Sequence, residues 1–160
     1  MTVTVREALP GDFEAVAGLL EELNRPKVLG TPEEDRHRQR YVAWLEGPDR
    51  LGFVAEIDGQ VIGFIDLHLV PRLNFTAPQA WVPDLIVRES ARSRGAGAAL
   101  LAKAEEAARA RGAFVLSLES AHWRSRAHAF YLREGLLDAG KEFAKVLIDV
   151  GWPPRRPGSA

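Results

Sequence analysis

The sequence predicts a mixed α/β domain, a central sheet with helices on both faces. Three observations carry this. Apolar residues switch between a period of two and a period near 3.6 in the order β-α-α-β-β-β-α-β-α-β. Consecutive central strands form a meander that opens with Asp58-Gly59, a strong short-range hairpin signal. A strand–helix–strand unit follows, and its crossover has to run over one face of the sheet.

Val3 and Val5 alternate with polar neighbours as a first strand, which Pro10-Gly11-Asp12 ends. Phe13, Val16, Ala17 and Leu20 then fall on one helical face, with Asp12 as the expected N-cap and the helix running to about Leu23. Residues 24–32 form a loop. Thr31-Pro32-Glu33-Glu34 starts a second helix, with acids at its positive end, and Gly47-Pro48 stops it. Leu51 to Ile57 and Val61 to Val70 are strands. Pro71 to Pro78 is a polar loop, and Ala80 to Val87 reads as the next strand even though it contains Pro83. A helix begins near Gly95, buries a stripe of Leu100, Ala104, Ala107 and Ala108, and ends at Gly112. Ala113 to Leu118 is a strand, Arg124 to Glu134 a helix closed by Gly135, and Phe143 to Val150 a last strand. The expected organisation is one domain over residues 1–150 and a Pro/Arg/Gly-rich tail over 151–160.

Composition narrows the chemistry. The chain has 160 residues, 46% of them apolar, enough for one core. Its 21 Lys+Arg against 22 Asp+Glu leave a formal charge of -1, which argues against nucleic acid as partner. There is no Cys, so thiol nucleophiles and Cys-ligated zinc are excluded; His37, His68, His122 and His128 show no metal-ligand spacing. No leader pattern is visible, and Asp66 and His68 interrupt the best apolar run, Val61 to Val70. The expected compartment is the cytoplasm, with no membrane partner.

The most informative stretch is Asp84-Leu-Ile-Val-Arg-Glu-Ser-Ala-Arg-Ser-Arg-Gly-Ala-Gly97. A strand leads through an arginine-bearing loop to Gly95-x-Gly97 at the mouth of an Ala/Leu-rich helix. Glycines admit close backbone approach, and the first helical amides point outward at the positive end of the helix, a site for phosphate or pyrophosphate. The dinucleotide fingerprint fails because Leu100 stands at its last position and seven residues separate Val87 from Gly95. A nucleotide P-loop fails for want of Gly-Lys-Ser/Thr.

The pattern Arg92-x-x-Gly95-x-Gly97 after Asp84-Leu-Ile-Val87 resembles the coenzyme A motif of the GNAT superfamily of N-acetyltransferases. Arg124-Ser-Arg-Ala127-His128-Ala-Phe130-Tyr131-Leu-Arg-Glu-Gly135-Leu136 resembles the same family's later motif. The Arg-x-x-Ala-His-x-Phe-Tyr variant is similar to the branch that holds aminoalkylphosphonate and other small-amine acetyltransferases. The resemblance implies a GNAT-like, mostly antiparallel sheet of six to seven strands. It also implies acetyl-CoA as co-substrate and direct transfer of the acetyl group to a primary amine of a small molecule. A homodimer is compatible with it.

Roles follow from the resemblance residue by residue. The backbone of Leu85, Ile86 and Val87 would pair with the pantetheine arm, with an N–H near Ile86 or Val87 for the oxyanion. Arg92 and the amides of Ser93, Arg94, Gly95, Ala96, Gly97 and Ala98 would hold the pyrophosphate. Ser120 and Arg124 flank the second motif; many members carry Asn where Arg124 stands, and this Arg could instead meet an anionic substrate group. Tyr131 matches the general acid and Asp84 the base or the group orienting a base water. Ala127, Phe130 and Tyr131 also fit a simple packing face, and a salt bridge to a nearby Arg fits Asp84 nearly as well. His68 and Asp66 share a strand face; His68 is the alternative base. Leu73, Phe75 and Trp81 are expected to wall an apolar pocket suited to a small molecule. The alternatives are acetylation of a protein N-terminus or lysine, or a non-catalytic coenzyme A sensor.

Overall fold

The computed structural model describes residues 2–153 and 156. They fall into two compact units, one ending at Leu118 and the other beginning at Glu119. In chain order the elements are β1 (Thr4–Glu7), α1 (Phe13–Glu22), α2 (Glu34–Leu45), β2 (Arg50–Ile57), β3 (Gln60–Val70), β4 (Gln79–Trp81), β5 (Leu85–Val87), α3 (Ala96–Ala110), β6 (Val115–Ser117) and α4 (Ser125–Arg133). Single 3-10 turns cover Pro10–Asp12 and Glu89–Ala91.

The six strands lie in one sheet, in the order β1-β2-β3-β4-β6, with β5 paired to β3. All pairings are antiparallel except β4 with β6. Asp58 and Gly59 take positive φ values of 51° and 76°, as the tight turn between Ile57 and Gln60 requires. Helices cover both faces. Val16, Leu19 and Leu23 of α1 and its C-cap pack with Val54, Phe64 and Ile86, joined by Tyr41 and Trp44 of α2. The opposite face takes α3 through its buried Leu100, Leu101, Ala104 and Ala108. Leu19, Val54, Ile65 and Leu100 are wholly inaccessible, and each such side chain contributes about 1.5–3 kcal/mol of transfer free energy. No helix among the described residues is long and apolar enough to cross a membrane.

Several elements depart from the sequence reading. The single strand expected over Ala80 to Val87 is two strands, because Pro83 has no N–H to give to a ladder. Phe143 to Val150 is no strand: it joins no ladder, and Phe143, Leu147 and Ile148 are exposed. An apolar, β-branched run becomes a strand only where a sheet edge pairs it. Asp12 is the N-cap of α1 by position, but its carboxylate accepts from the N–H of Leu9 and from Arg6 rather than capping α1. Most of the tail predicted over 151–160, Arg155 included, lies outside the described residues.

Candidate active site

The site grows out of a bulge. Trp81 stands opposite His68 in the β3–β4 ladder and Leu85 opposite Ile65 in the β3–β5 ladder. Three residues, Val82, Pro83 and Asp84, therefore face two, Asp66 and Leu67. The extra residue bends the chain away from β3. Val82 donates its N–H to the carbonyl of Ser117, so β4 leans towards β6. Beyond Pro83 the chain returns to β3 alone.

The ladder phase then decides which backbone groups of β5 are free. Asp84 accepts from the N–H of Asp66, and Arg88 donates to Ile62, each on the β3 side. Alternation places Ile86 in the same phase and turns the N–H and C=O of Leu85 and Val87 towards the gap, where no strand among the described residues pairs them. Among the described residues, the Val87 carbonyl takes only a 3.4 Å contact from Arg92 Nε. Of the backbone donors considered for the oxyanion, the ladder therefore leaves Val87 available and commits Ile86 to β3.

Asp66 is the buried charged residue of the core. Its Oδ1 accepts from the Asp84 N–H at 2.8 Å. Burial, and then the charge of Asp84, push its carboxyl well above the usual range. Asp84 pairs with Arg25, Oδ1 to Nε at 2.6 Å, and Arg25 Nη2 also donates to the Pro83 carbonyl at 3.3 Å. The sequence reading did not single out Arg25. A helix-ending motif fixes its backbone: Asn24, at a φ of 64°, donates to Glu21, and Arg25 N–H donates to Leu20. The Leu-Asn-Arg-Pro helix stop was the available signal, but nothing local shows where the guanidinium goes.

His68 receives the indole N–H of Trp44 on Nε2 at 3.2 Å. An indole only donates, so Nε2 carries the lone pair and the imidazole is neutral. Burial, and then the charge of Arg50, lower its pKa in the same sense. The rings of Trp44 and Trp81 flank His68 at 6.0 and 5.6 Å between centroids. Trp44 and Trp81, not the loop, thus provide aromatic surface beside Asp66. Leu73 is fully exposed, and Phe75 stacks on Phe114 at 4.5 Å with more than half its surface in solvent. Two of the three residues expected to wall the pocket do not, because a loop without a covering element leaves them in water.

The glycine segment forms the expected turn. Ser93 and Gly95 take φ values of 68° and 83°, and Gly95 is the N-cap of α3. Ala99 donates to Gly95 as the first helical bond, which leaves the amides of Ala96, Gly97 and Ala98 outside the helix ladder. Arg92 and Arg94 are exposed beside them. Gly63 permits this packing: a Cβ there would stand 3.0 Å from Leu100 Cδ1 and 3.1 Å from the Ile86 carbonyl.

In the second unit Arg124 is the N-cap of α4, and Tyr131 lies in its last turns. Gly135, φ 89°, donates to Leu132, and Leu136 donates to Tyr131. The Tyr-x-x-x-Gly-Leu spacing is thus a helix stop with tyrosine at its third-last helical position. Burial raises the Tyr131 hydroxyl above its usual pKa, with Arg124 opposing. Ser120 Oγ is buried and has no hydrogen-bond partner among the described residues, a polar atom suited to a ligand.

A bulged sheet with an open strand edge leads here to helical amides outside the ladder, an arrangement suited to an extended ligand that ends in phosphate. The acetyltransferase (GNAT) family matches residues 16–136, and the chain belongs to that family. It is 32% identical over 143 residues to the aminoalkylphosphonate N-acetyltransferase of Salmonella typhimurium, covering 89% of this chain and 90% of that protein. A solved structure from Agrobacterium tumefaciens, described as a candidate acetyltransferase, superposes with a TM-score of 0.80 at 25% identity, over 89% of this chain and 99% of the other. AAC(6')-Iy, solved with the bisubstrate analogue CoA-S-monomethyl-acetylneamine, shares the fold with a TM-score of 0.76 at 17% identity, over 91% and 98% of the two chains. The family's N-acetyltransferase activity and its use of acetyl-CoA come with this membership.

Proposed function

We propose that this chain moves the acetyl group of acetyl-CoA directly to the primary amine of a small molecule, within a ternary complex. The observation that carries the reading is the bulge at Val82–Asp84, which leaves the Leu85 and Val87 edge unpaired ahead of the α3 amides. Acetyl-CoA supplies an activated acyl thioester. Leu85 and Val87 offer main-chain groups to its pantetheine arm, while Arg92 and the amides of Ser93, Arg94, Gly95, Ala96, Gly97 and Ala98 offer donors to its pyrophosphate. Ser120 and Arg124 supply further contacts. The Val87 N–H is the donor for developing oxygen charge.

Asp84 receives the acceptor ammonium and orients the water that takes its proton, which frees the amine to attack the thioester carbonyl. Its Oδ1 is already held by Arg25 at 2.6 Å, which supports an orienting role. Tyr131, kept protonated by burial, is the donor to the leaving sulfur. Residues 1–150 make up the catalytic domain in this reading. The similarity to an aminoalkylphosphonate N-acetyltransferase favours a small acceptor.

The test is thiol release from acetyl-CoA against an aminoalkylphosphonate, polyamines, an aminoglycoside, amino acids and an N-terminal peptide. Release that depends on a small amine and collapses in Tyr131→Phe supports the reading. Release only with the peptide, or coenzyme A binding without release, overturns it.

A further inference from the structure

We propose that Arg25 is a specificity-determining residue that binds an oxoanion of the acceptor while Asp84 holds its ammonium, so that the site selects short zwitterionic amines. The proposal rests on the acetyltransferase reading above. It starts from the geometry of one ion pair. Arg25 engages Asp84 through Nε and the Pro83 carbonyl through Nη2. Of five N–H donors, the guanidinium leaves those of Nη1 and one of Nη2 with no partner among the described residues. Asp84 spends Oδ1 on Arg25, and its Oδ2 takes no hydrogen bond among the same residues. Both side chains are only partly covered, at 26% and 17% exposure.

Each ion thus keeps an open edge, and the two ions are in direct contact through Nε and Oδ1. A plain ammonium bound at Asp84 would leave an extra positive charge beside the guanidinium. An anion alone would leave the reverse. A ligand carrying both charges on a short spacer meets each edge with its complement and preserves neutrality, while a bare amine is penalised by Arg25. The Arg fork suits a carboxylate or phosphonate, whose oxygens accept in pairs. The position is also right for transfer, because Asp84 directly precedes Leu85, whose backbone faces the gap. The helix stop at Asn24 holds the Arg25 backbone in place before any ligand arrives, so little ordering is needed on binding.

The experiment measures kcat and KM for 2-aminoethylphosphonate, its neutral diethyl ester, β-alanine and propylamine, in the wild type, Arg25→Gln and Arg25→Lys. Wild type should prefer at least one oxoanion-bearing amine to both the ester and propylamine. In Arg25→Gln the ratio of kcat/KM for that substrate over propylamine should fall by about 10- to 100-fold, the worth of a charge-assisted contact. The loss should sit in KM, and Arg25→Lys should recover part of it. The phosphonate and carboxylate arms identify which oxoanion is read. A wild type without that preference, or an Arg25→Gln ratio equal to wild type, overturns the proposal, the latter leaving Arg25 a structural pin. If circular dichroism shows Arg25→Gln unfolded, Arg25→Lys decides: a raised KM for the oxoanion substrate supports the proposal, and an unchanged one overturns it. If no amine is acetylated, calorimetry of 2-aminoethylphosphonate and β-alanine with the coenzyme A-saturated protein separates the two readings. Binding lost in the Arg25 variants keeps this proposal while the transfer reading falls. No binding to wild type overturns it.

Discussion

The N–H of Asp84 donates to Oδ1 of Asp66 at 2.8 Å, while the N–H of Asp66 donates to the Asp84 carbonyl at 3.2 Å. In a regular antiparallel pair both bonds would join main chain to main chain. Here the Asp66 side chain replaces its own carbonyl as acceptor, at the residue that completes the bulge. A carboxylate therefore sets the point where β5 separates from β4.

Two substitutions divide that role. Asp66→Asn keeps an acceptor for the Asp84 N–H, whereas Asp66→Leu leaves a buried donor unpaired and should cost about 1–3 kcal/mol in urea unfolding, with weaker coenzyme A binding. Charge shows itself in pH. Asp84 and Arg25 from the loops and His68 from β3 face Asp66; burial first and Asp84 second raise it well above 3.8. The folded state holds that proton more tightly than the unfolded chain. The resulting stabilisation is complete below pH 3.8 and fades as pH rises through the folded value. The stability of Asp66→Asn relative to wild type should therefore grow with pH above 3.8; a constant difference would show that the carboxyl is not shifted.

His68 stands next to this pair and looks like a base, but its Nε2 lone pair is engaged by Trp44. His68→Gln retains an acceptor for the indole. Its kcat/KM should fall far less than the about 100- to 10,000-fold expected on losing a general base. The wild type should also lose stability relative to this variant as pH drops below 6.5, since the lowered pKa favours the neutral ring in the folded state. A full-scale loss of rate at unchanged stability would restore His68 as the base.

How far the sequence showed this depends on the range of the interaction. Helices α1 and α3, the Asp58-Gly59 turn and the glycine turn before α3 were legible because each is decided within a few residues. Pro83 was a local sign of the bulge, yet the one-residue offset exists only between strand partners, and the apolar run on either side of Pro83-Asp84 concealed it. Arg25 meets Asp84 across 59 positions, a distance no periodicity spans. Phe143 to Val150 has the apolar, β-branched composition of a strand, but composition contains no information about a partner edge. Leu73 and Phe75 show the same limit for a pocket wall.

The close approach of α3 to the sheet gives a third expectation. Alanine at Gly63 would press on the Ile86 carbonyl and Leu100, so Gly63→Ala should cost about 1–3 kcal/mol by overpacking. Gly95 has open space around it, so Gly95→Ala should cost about 1 kcal/mol, from its φ of 83° alone. Thermal unfolding should rank the two in that order. Coenzyme A affinity should suffer in both, through β5 in the first and the α3 amides in the second. The reverse stability ranking would mean that Leu100 yields to a methyl group.

Tyr131 supplies the last expectation. A leaving thiolate needs a donor that is still protonated at the working pH, and burial raises this hydroxyl above its ordinary 10.0. Arg124 works the other way, stabilising a phenolate. Tyr131→Phe keeps the ring, which lies 5.4 Å from that of Phe130, and removes only the hydroxyl. It should lower kcat by about 100-fold or more while leaving coenzyme A affinity within about threefold. Arg124→Gln should raise the hydroxyl pKa further, shifting any alkaline loss of kcat to higher pH. A Phe variant with the wild-type rate would assign the proton to water and leave Tyr131 a packing residue of α4.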